Sequence, residues 1–440
     1  MRRWIFPLTA AVIIACLWAI PGNAAMNTGA ASAEAGGIPP GTVITPQNWQ
    51  KYKQFMTDGL QMLFADKFRW QFPADYQMVV GPTGDYQLPA TFLEQTKKYS
   101  GQVKIVNLPD GRHNITGYVG GIPFPNPEAP LKGWKLLIDD WYDYAPYLLC
   151  ADTCAFTFED RFNNITGNKF FFVQRLFDHR GDKGVSVKDP TMPGIFYTEL
   201  IEVEEPEQAR YTAVLTVYYS EMAKSEDTYI FVPALRRSLR LSTAARCSPA
   251  VGSDYTNDDT RHGAFNGNPT RFDAKFLGDR SVLEQAKINS QLSPDNNQFY
   301  LPLFFPKPSI GKWEARPSWM IDVRRVPSER SGYCYGKRIL YVDKQVYESH
   351  WADLYDQNMK LWKIDYDPQG LISVPGEGEH WTNDGWGVMF DVQNMHISRV
   401  SLSGDGGAVR ANSDCKNLGG RDFTDAVRYS SVRGLAEIMR

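Results

Sequence analysis

The chain has 440 residues, 43% of them apolar and 13% aromatic, enough to bury one large core or two ordinary ones, which excludes a chain disordered throughout. Lysine plus arginine (47) nearly balances aspartate plus glutamate (50), and the formal charge is -3. No broad field therefore points to nucleic acid or to an anionic membrane surface, and any basic function is local.

Residues 1–25 read as a secretory signal: Arg2 and Arg3, an apolar stretch from Trp4 to Ile20, a breaker at Pro21, and a cut near Ala24 or Ala25. An uncleaved anchor and a lipoprotein anchored at Cys16 are the alternatives; Leu17 to Ile20 stay apolar past that cysteine, unlike most lipoproteins. No later stretch approaches membrane length, so the expectation is a soluble mature chain in an exported compartment. There Cys150, Cys154, Cys247, Cys334 and Cys415 can oxidise, and because five is odd at least one lacks an intrachain partner. Apolar runs on either side of Ala151 to Thr153 predict a hairpin that sets Cys150 against Cys154.

Residues 26–44 are rich in Gly, Ala and Pro and read as a flexible leader. Residues 45–155 follow as an N-terminal helix and a turn-rich wrapping segment. Thr45 is the expected cap, Pro46 suits the first turn, and Trp49, Tyr52, Phe55 or Met56, Leu60 and Leu63 recur at helical spacing. From Gln71 to Pro130, Pro, Gly and Asn predict extended segments and turns rather than a core.

Residues 156–440 read as antiparallel sheet. The runs 169–177, 211–220, 228–232, 318–326, 337–343, 360–366 and 386–402 are strand-like by β-branched and aromatic content, and polar turns at 343–345, 356–358 and 367–370 predict a simple meander. Alternation puts Tyr211, Ala213, Leu215, Val217 and Tyr219 on one face, and sets Trp362, Ile364 and Tyr366 against Lys363 and Asp365. Several strands thus have one apolar and one solvated side, and the apolar side needs a cover.

The run "TYIFVPALRRSLRLS" (228–242) raises a separate question. Strict alternation after Pro233 puts Arg237 on the face of Leu235, Leu239 and Leu241. Either it pairs with Asp254, Asp258 or Asp259, or it is a pocket cation for an anionic headgroup, or a bulge at Pro233 or in the Arg-Arg pair shifts the register.

The stretch "GSDYTNDDTRHG" (252–263) gathers Asp254, Asp258, Asp259, Arg261 and His262, without the ligand spacing of a calcium loop. A hydrogen-bonded turn paired to Arg236, Arg237 or Arg240 is the plain reading; an acid-base pair for a hydrolase is the rival. The chain has no G-x-S-x-G elbow, no H-E-x-x-H and no glycine-rich phosphate loop, and its six histidines are scattered, so neither a metal nor a cofactor is expected.

Several segments together carry a resemblance: "YIFVPALRRSLRLS" followed by "GSDYTNDD", then "KRILYVDKQVY" (337–347), "DLYDQNMKLWK" (353–363) and "DVQNMHISR" (391–399), with "ITPQNWQKYKQFMTDG" (44–59) and "GGIPFPNP" (120–127) upstream. The chain resembles the proteobacterial family designated domain of unknown function 1329, similar to the outer-membrane lipoprotein-sorting proteins LolA and LolB. That resemblance implies a mainly β fold with covering α-helices: a LolA-like curved, incompletely closed antiparallel sheet, or half-barrel, with a hydrophobic cavity. It also implies a periplasmic carrier of a hydrophobic small molecule or lipid, working beside an inner-membrane exporter of the resistance-nodulation-division (RND) class and an outer-membrane protein. The family supplies no catalytic residues. Alternation offers Tyr219, Phe231, Trp362, Ile364 and Phe390 as ligand-binding lining, with Arg237 as the pocket cation. The rival readings are a lipid or ester hydrolase and a non-catalytic adaptor.

Overall fold

The computed structural model describes residues 37–65, 72–241, 246–288, 298–381, 386–404 and 407–438. The expected signal and Cys16 lie outside the described residues, as does most of the leader. Among the described residues no helix is long and apolar enough to cross a membrane.

One antiparallel sheet of fourteen strands dominates. Its first meander consists of β1 (Leu148–Glu159), β2 (Ile165–Leu176), β3 (Ile195–Glu205), β4 (Ala213–Tyr219), β5 (Asp227–Val232) and β6 (Arg237–Arg240). The second consists of β7 (Phe272–Gln285), β8 (Trp313–Arg325), β9 (Lys337–Asp343), β10 (Ser349–Tyr355), β11 (Leu361–Tyr366), β12 (Trp386–Asp391) and β13 (His396–Ser401). A short β14 (Val409–Ala411) pairs beside β1. Within each meander every strand pairs with its neighbours in sequence, and β13 pairs with β1, joining the two meanders. The ring is open at one place: β6 and β7 are consecutive yet unpaired, so the sheet is curved but not a closed barrel. The sheet thus begins at Leu148, inside the segment expected to wrap, and the expected strand 386–402 is a hairpin of two.

The concave side is crossed by helix α3 (Lys132–Trp141). At its start, a Cβ on Gly133 would stand 2.4 Å from the Ala274 carbonyl of β7, so only glycine permits this approach. At its end, Trp141 lies among Phe196, Tyr197 and Tyr218 of β3 and β4. One helix therefore reaches from the β7 edge to the interior strands β3 and β4 of the first meander, and a continuous apolar cluster follows it across the sheet. The wrapping segment adds helix α2 (Ala90–Tyr99), unforeseen in the sequence, and a hairpin of Lys104–Asn107 with His113–Thr116.

The convex side is covered as well. On one half the N-terminal segment packs over Trp351, Ile364, Tyr366 and Phe390. The expected single helix is broken there: a 3-10 turn at Trp49–Phe55 precedes α1 (Asp58–Phe64), whose cap is Thr57, not Thr45, with its side chain accepting from Leu60 N at 3.0 Å. The break lets Gly59 N donate to Asp353 Oδ1 at 2.9 Å. On the other half, α4 (Ala426–Ser430) and α5 (Val432–Leu435) cover Phe171, Leu200 and Leu215. The face led by Ala213, Leu215 and Val217 is thus apolar as expected, and lies under this C-terminal cover.

The disulfides are Cys150–Cys415 and Cys247–Cys334, and Cys154 is free and buried. The expected Cys150–Cys154 bridge is corrected: Ala151 to Thr153 continue β1 through a bulge instead of turning, leaving Cys150 in the convex cluster and Cys154 in the concave one. Cys150–Cys415 staples the C-terminal cover. Cys247–Cys334 ties the chain beyond β6 to the loop before β9, and so clasps the open ring.

Burial first, and then the charge of Asp58, push Asp353 up to about 7 despite the bonds from Tyr341 and Gly59. An unfolded aspartate titrates near ~4, so from about pH 4 to 7 the folded chain holds the extra proton and loses stability as pH rises. Asp353→Asn is expected to remove that slope, read as a gain in melting temperature over wild type that grows from pH 5 to 8; parallel profiles would contradict it. Replacing Cys247 and Cys334 by Ser is expected to cost about 2–4 kcal/mol in denaturant unfolding.

Candidate functional site

The open edge is bridged by residues 246–271, and the bridge is held mainly by side chains. Asp258 and Asp259 are wholly buried. Asp258 accepts from Arg246, which follows β6, and from Arg325 Nη2 at 3.0 Å, at the end of β8. Asp259 accepts from Arg338 Nη2 at 2.7 Å and Tyr335 Oη at 2.6 Å, and turns back on its own loop through Thr256 Oγ1 at 2.7 Å. Asn266 joins Tyr197 and Tyr218, Asn268 donates to the Met222 and Lys224 carbonyls, and Arg271 donates to Ser225 Oγ. Burial alone would raise the Asp258 carboxyl, but the guanidiniums of Arg246, Arg325 and Arg338 override it and hold the group well below the usual range.

Two parts of this network correct the sequence reading. The arginines that answer the 252–263 aspartates are Arg246, Arg325 and Arg338, not Arg236, Arg237 or Arg240. Lys363 and Asp365 are also not solvated: both are buried on the concave side, Lys363 donating to the Asp254 carbonyl. Burial, and then the charge of Asp367, push Asp365 well above the carboxylate range.

At the seam lies a depression of about 430 Å³. Its lining includes Arg112, Arg246, Arg271 and Arg325 with Glu329 and Tyr333, and the Cys247–Cys334 clasp is in its wall. Sequence reasoning missed these arginines although a signal was present. In 318–326, Arg325 shares its face with Trp319, Ile321 and Val323; in 337–343, Arg338 shares its face with Leu340 and Val342. A guanidinium on an apolar face was the right cue, attached to the wrong strand. Arg237 itself is exposed: Pro233–Leu235 form a 3-10 turn, Arg236 takes a left-handed conformation, and Arg237–Arg240 pair back on β5 as a short edge strand.

The candidate lining residues are not gathered in one place. Ile364 and Phe390 lie under the N-terminal cover of the convex side, with the Phe305 ring 5.9 Å from that of Phe390. Phe231 and half-buried Tyr219 lie under the C-terminal cover, and Tyr219 donates to Asp227 at 2.7 Å. Trp362 sits at a β11 bulge that turns it to the concave cluster, its Nε1 donating to Asp391 at 2.9 Å.

The rival catalytic residues are also accounted for. Asp254 Oδ2 faces His396 Nδ1 at 2.6 Å and accepts from Ser398 Oγ at 2.7 Å, so the hydroxyl is tied to the carboxylate rather than to the imidazole, unlike a nucleophile beside its base. Among the described residues no group of three or more His, Cys, Asp or Glu is arranged to hold a metal ion.

This open-edged antiparallel sheet, covered on both sides and clasped by charge, defines a mainly β protein built around a half-barrel. The chain belongs to the family described as protein of unknown function (DUF1329), whose model matches residues 43–427. Three solved structures are similar at the level of fold. An outer membrane lipoprotein-sorting protein domain from Vibrio parahaemolyticus is 15% identical over 67% of this chain and 97% of its own, with a TM-score of 0.45. A DUF1329 family protein from Desulfovibrio piger is 14% identical over 66% and 96%, also at 0.45. A LolA superfamily protein from Nitrosomonas europaea is 13% identical over 62% and 90%, at 0.36. No curated protein matches the chain.

Asp258→Asn leaves two buried guanidiniums short of their shared carboxylate and is expected to cost about 3–5 kcal/mol, whereas Asp254→Asn costs about 1 kcal/mol. The Asp258 contribution is present above about pH 4 and lost as pH falls toward its depressed value, so the variant should show less acid-side loss than wild type. Urea unfolding from pH 3 to 7 measures both, and equal costs for the two variants would overturn the ranking.

Proposed function

We propose that the protein is an exported, non-catalytic carrier that takes a hydrophobic or lipidic ligand from one membrane toward another. One observation carries this reading: the edges β6 and β7 are not paired with each other, and the chain that bridges them is held to the sheet by side-chain ties and a disulfide. Such ties open locally while the ladders on either side hold, giving access to the aromatic concave interior without unfolding the scaffold. Each methylene laid against that interior gains about 0.8 kcal/mol, so an acyl chain is held firmly once α3 and the bridge yield room. Trp362 is the member of the sequence-derived lining that faces this interior. Two disulfides suit an oxidising compartment such as the periplasm. An RND-class exporter and an outer-membrane protein as donor and acceptor belong to the same proposal.

Mass spectrometry of organic extracts from natively purified protein is expected to recover a lipophilic species, and an apolar fluorescent probe is expected to bind and be displaced by it. Reduction of Cys247–Cys334 should speed probe uptake. If nothing is recovered and no probe binds, in oxidised and reduced protein alike, the carrier reading fails. Ester turnover that Asp254→Asn abolishes would replace it with a hydrolase; an empty protein that captures an exporter complex would replace it with an adaptor.

A further inference from the structure

The depression at the seam is built from distant parts of the chain. Arg112 comes from the wrapping hairpin, Arg246 and Arg271 from the two ends of the bridge, and Arg325 from the end of β8. Its carboxylates are shared: Glu226 faces Arg246 and Arg271, Asp258 faces Arg246 and Arg325, and Glu329 faces Arg325 at 3.7 Å and Arg112 at 3.8 Å. Asp110 also holds Arg112 at 2.7 Å. Arg271 has the longest ion pair of the inner three, 3.7 Å to Glu226, beside its hydrogen bond to Ser225 Oγ, and is only 7% exposed although it lines the open depression. Burial and then the charges of Arg246 and Arg325 push its guanidinium down to about 10. Planar donor forks at one spot match the geometry of an oxyanion.

We propose that this depression binds an oxyanion, a phosphate or a carboxylate group, held by Arg271 with Arg325 and Arg112 beside it. The proposal rests on the carrier reading in one respect: the oxyanion is taken as the head of the carried amphiphile. Arg325 stands at the boundary such a molecule needs. Its guanidinium lies 4.6 Å and 4.2 Å over the rings of Phe272 and Tyr333, which belong to the concave apolar cluster. A head at Arg271 thus leaves the apolar body facing the interior.

Calorimetric titration of the full chain with inorganic phosphate and with dihexanoyl phosphatidic acid tests the site. Both are expected to bind, and Arg271→Gln is expected to weaken them about tenfold or more, the loss of one charge-assisted hydrogen bond. Phosphatidic acid binding more tightly than phosphate identifies a lipid headgroup, equal affinities identify a free anion, and either supports the site. Arg112→Gln, at the rim, is the second variant should Arg271→Gln unfold, with weaker binding and an unchanged melting temperature expected. No binding of either probe to wild type, or wild-type affinity in both variants, overturns the proposal. Parallel titration with an apolar fluorescent probe separates the two readings: phosphate bound without the apolar probe removes the carrier and keeps the oxyanion site, whereas the apolar probe bound without phosphate does the reverse.

Discussion

The bridge between the two edges of the curled sheet is centred on one carboxylate, Asp258. It is completely buried and lies between Arg246, beyond the β6 edge, and Arg325, next to the β7 edge. A free strand edge invites pairing with another chain, and natural sheets close, cover or charge their edges. Here the edges are not hydrogen-bonded to each other, and the chain that runs between them is a charged bridge. Taking such groups out of water costs several kcal/mol each, so the cluster is poorly explained as a source of net stability. What it supplies is geometry. A misregistered closure would strand an aspartate or a guanidinium without its counter-charge, and that penalty selects one way for the ends to meet.

Curvature then decides what the remaining chain has to do. Because β1 to β13 carry apolar side chains on both faces, neither face can be left wet, unlike the one-sided antiparallel sheet that simple alternation suggests. The concave side receives α3 and the bridge; the convex side is divided between the N-terminal and C-terminal segments. Each disulfide joins parts far apart in sequence, 265 residues for Cys150–Cys415 and 87 for Cys247–Cys334, where a crosslink most restricts the unfolded chain. One holds a cover and the other holds the seam.

What the sequence made legible follows from how local each signal is. The strand 337–343 coincides with β9, because β-branched content and a turn at Asp343 are local. The face shared by Ala213, Leu215 and Val217 is likewise right within its strand. Alternation, however, states only which residues lie together, not whether their face is concave or convex, so it groups Ile364, Phe231 and Trp362 although three different clusters receive them. The cysteine pairs were illegible for the same reason: Cys415 and Cys334 come near their partners only through the curl. The buried arginines form a middle case. Arg325 and Arg338 sit on apolar faces in plain view, but their partners Asp258 and Asp259 lie in a loop that reaches them only once the ring has nearly closed.

Two kinds of bond hold the curled sheet together. Strand ladders are cooperative, since each paired residue fixes its neighbours, and opening one strand exposes apolar surface on both faces. The seam ties are separate contacts between side chains: Arg246 with Asp258, Arg338 with Asp259, Arg271 with Ser225, Asn268 with the Met222 carbonyl. Arg246 and Arg271 line the depression, whereas Asp258, Asp259 and Arg338 are wholly buried. Local openings in proteins span the range from nearly free to the full unfolding cost, and breaking a buried ion pair is costly unless another group takes the place of the lost partner. In the carrier proposed above, an anion entering at Arg271 would take the place of the Ser225 and Glu226 contacts that opening the seam breaks.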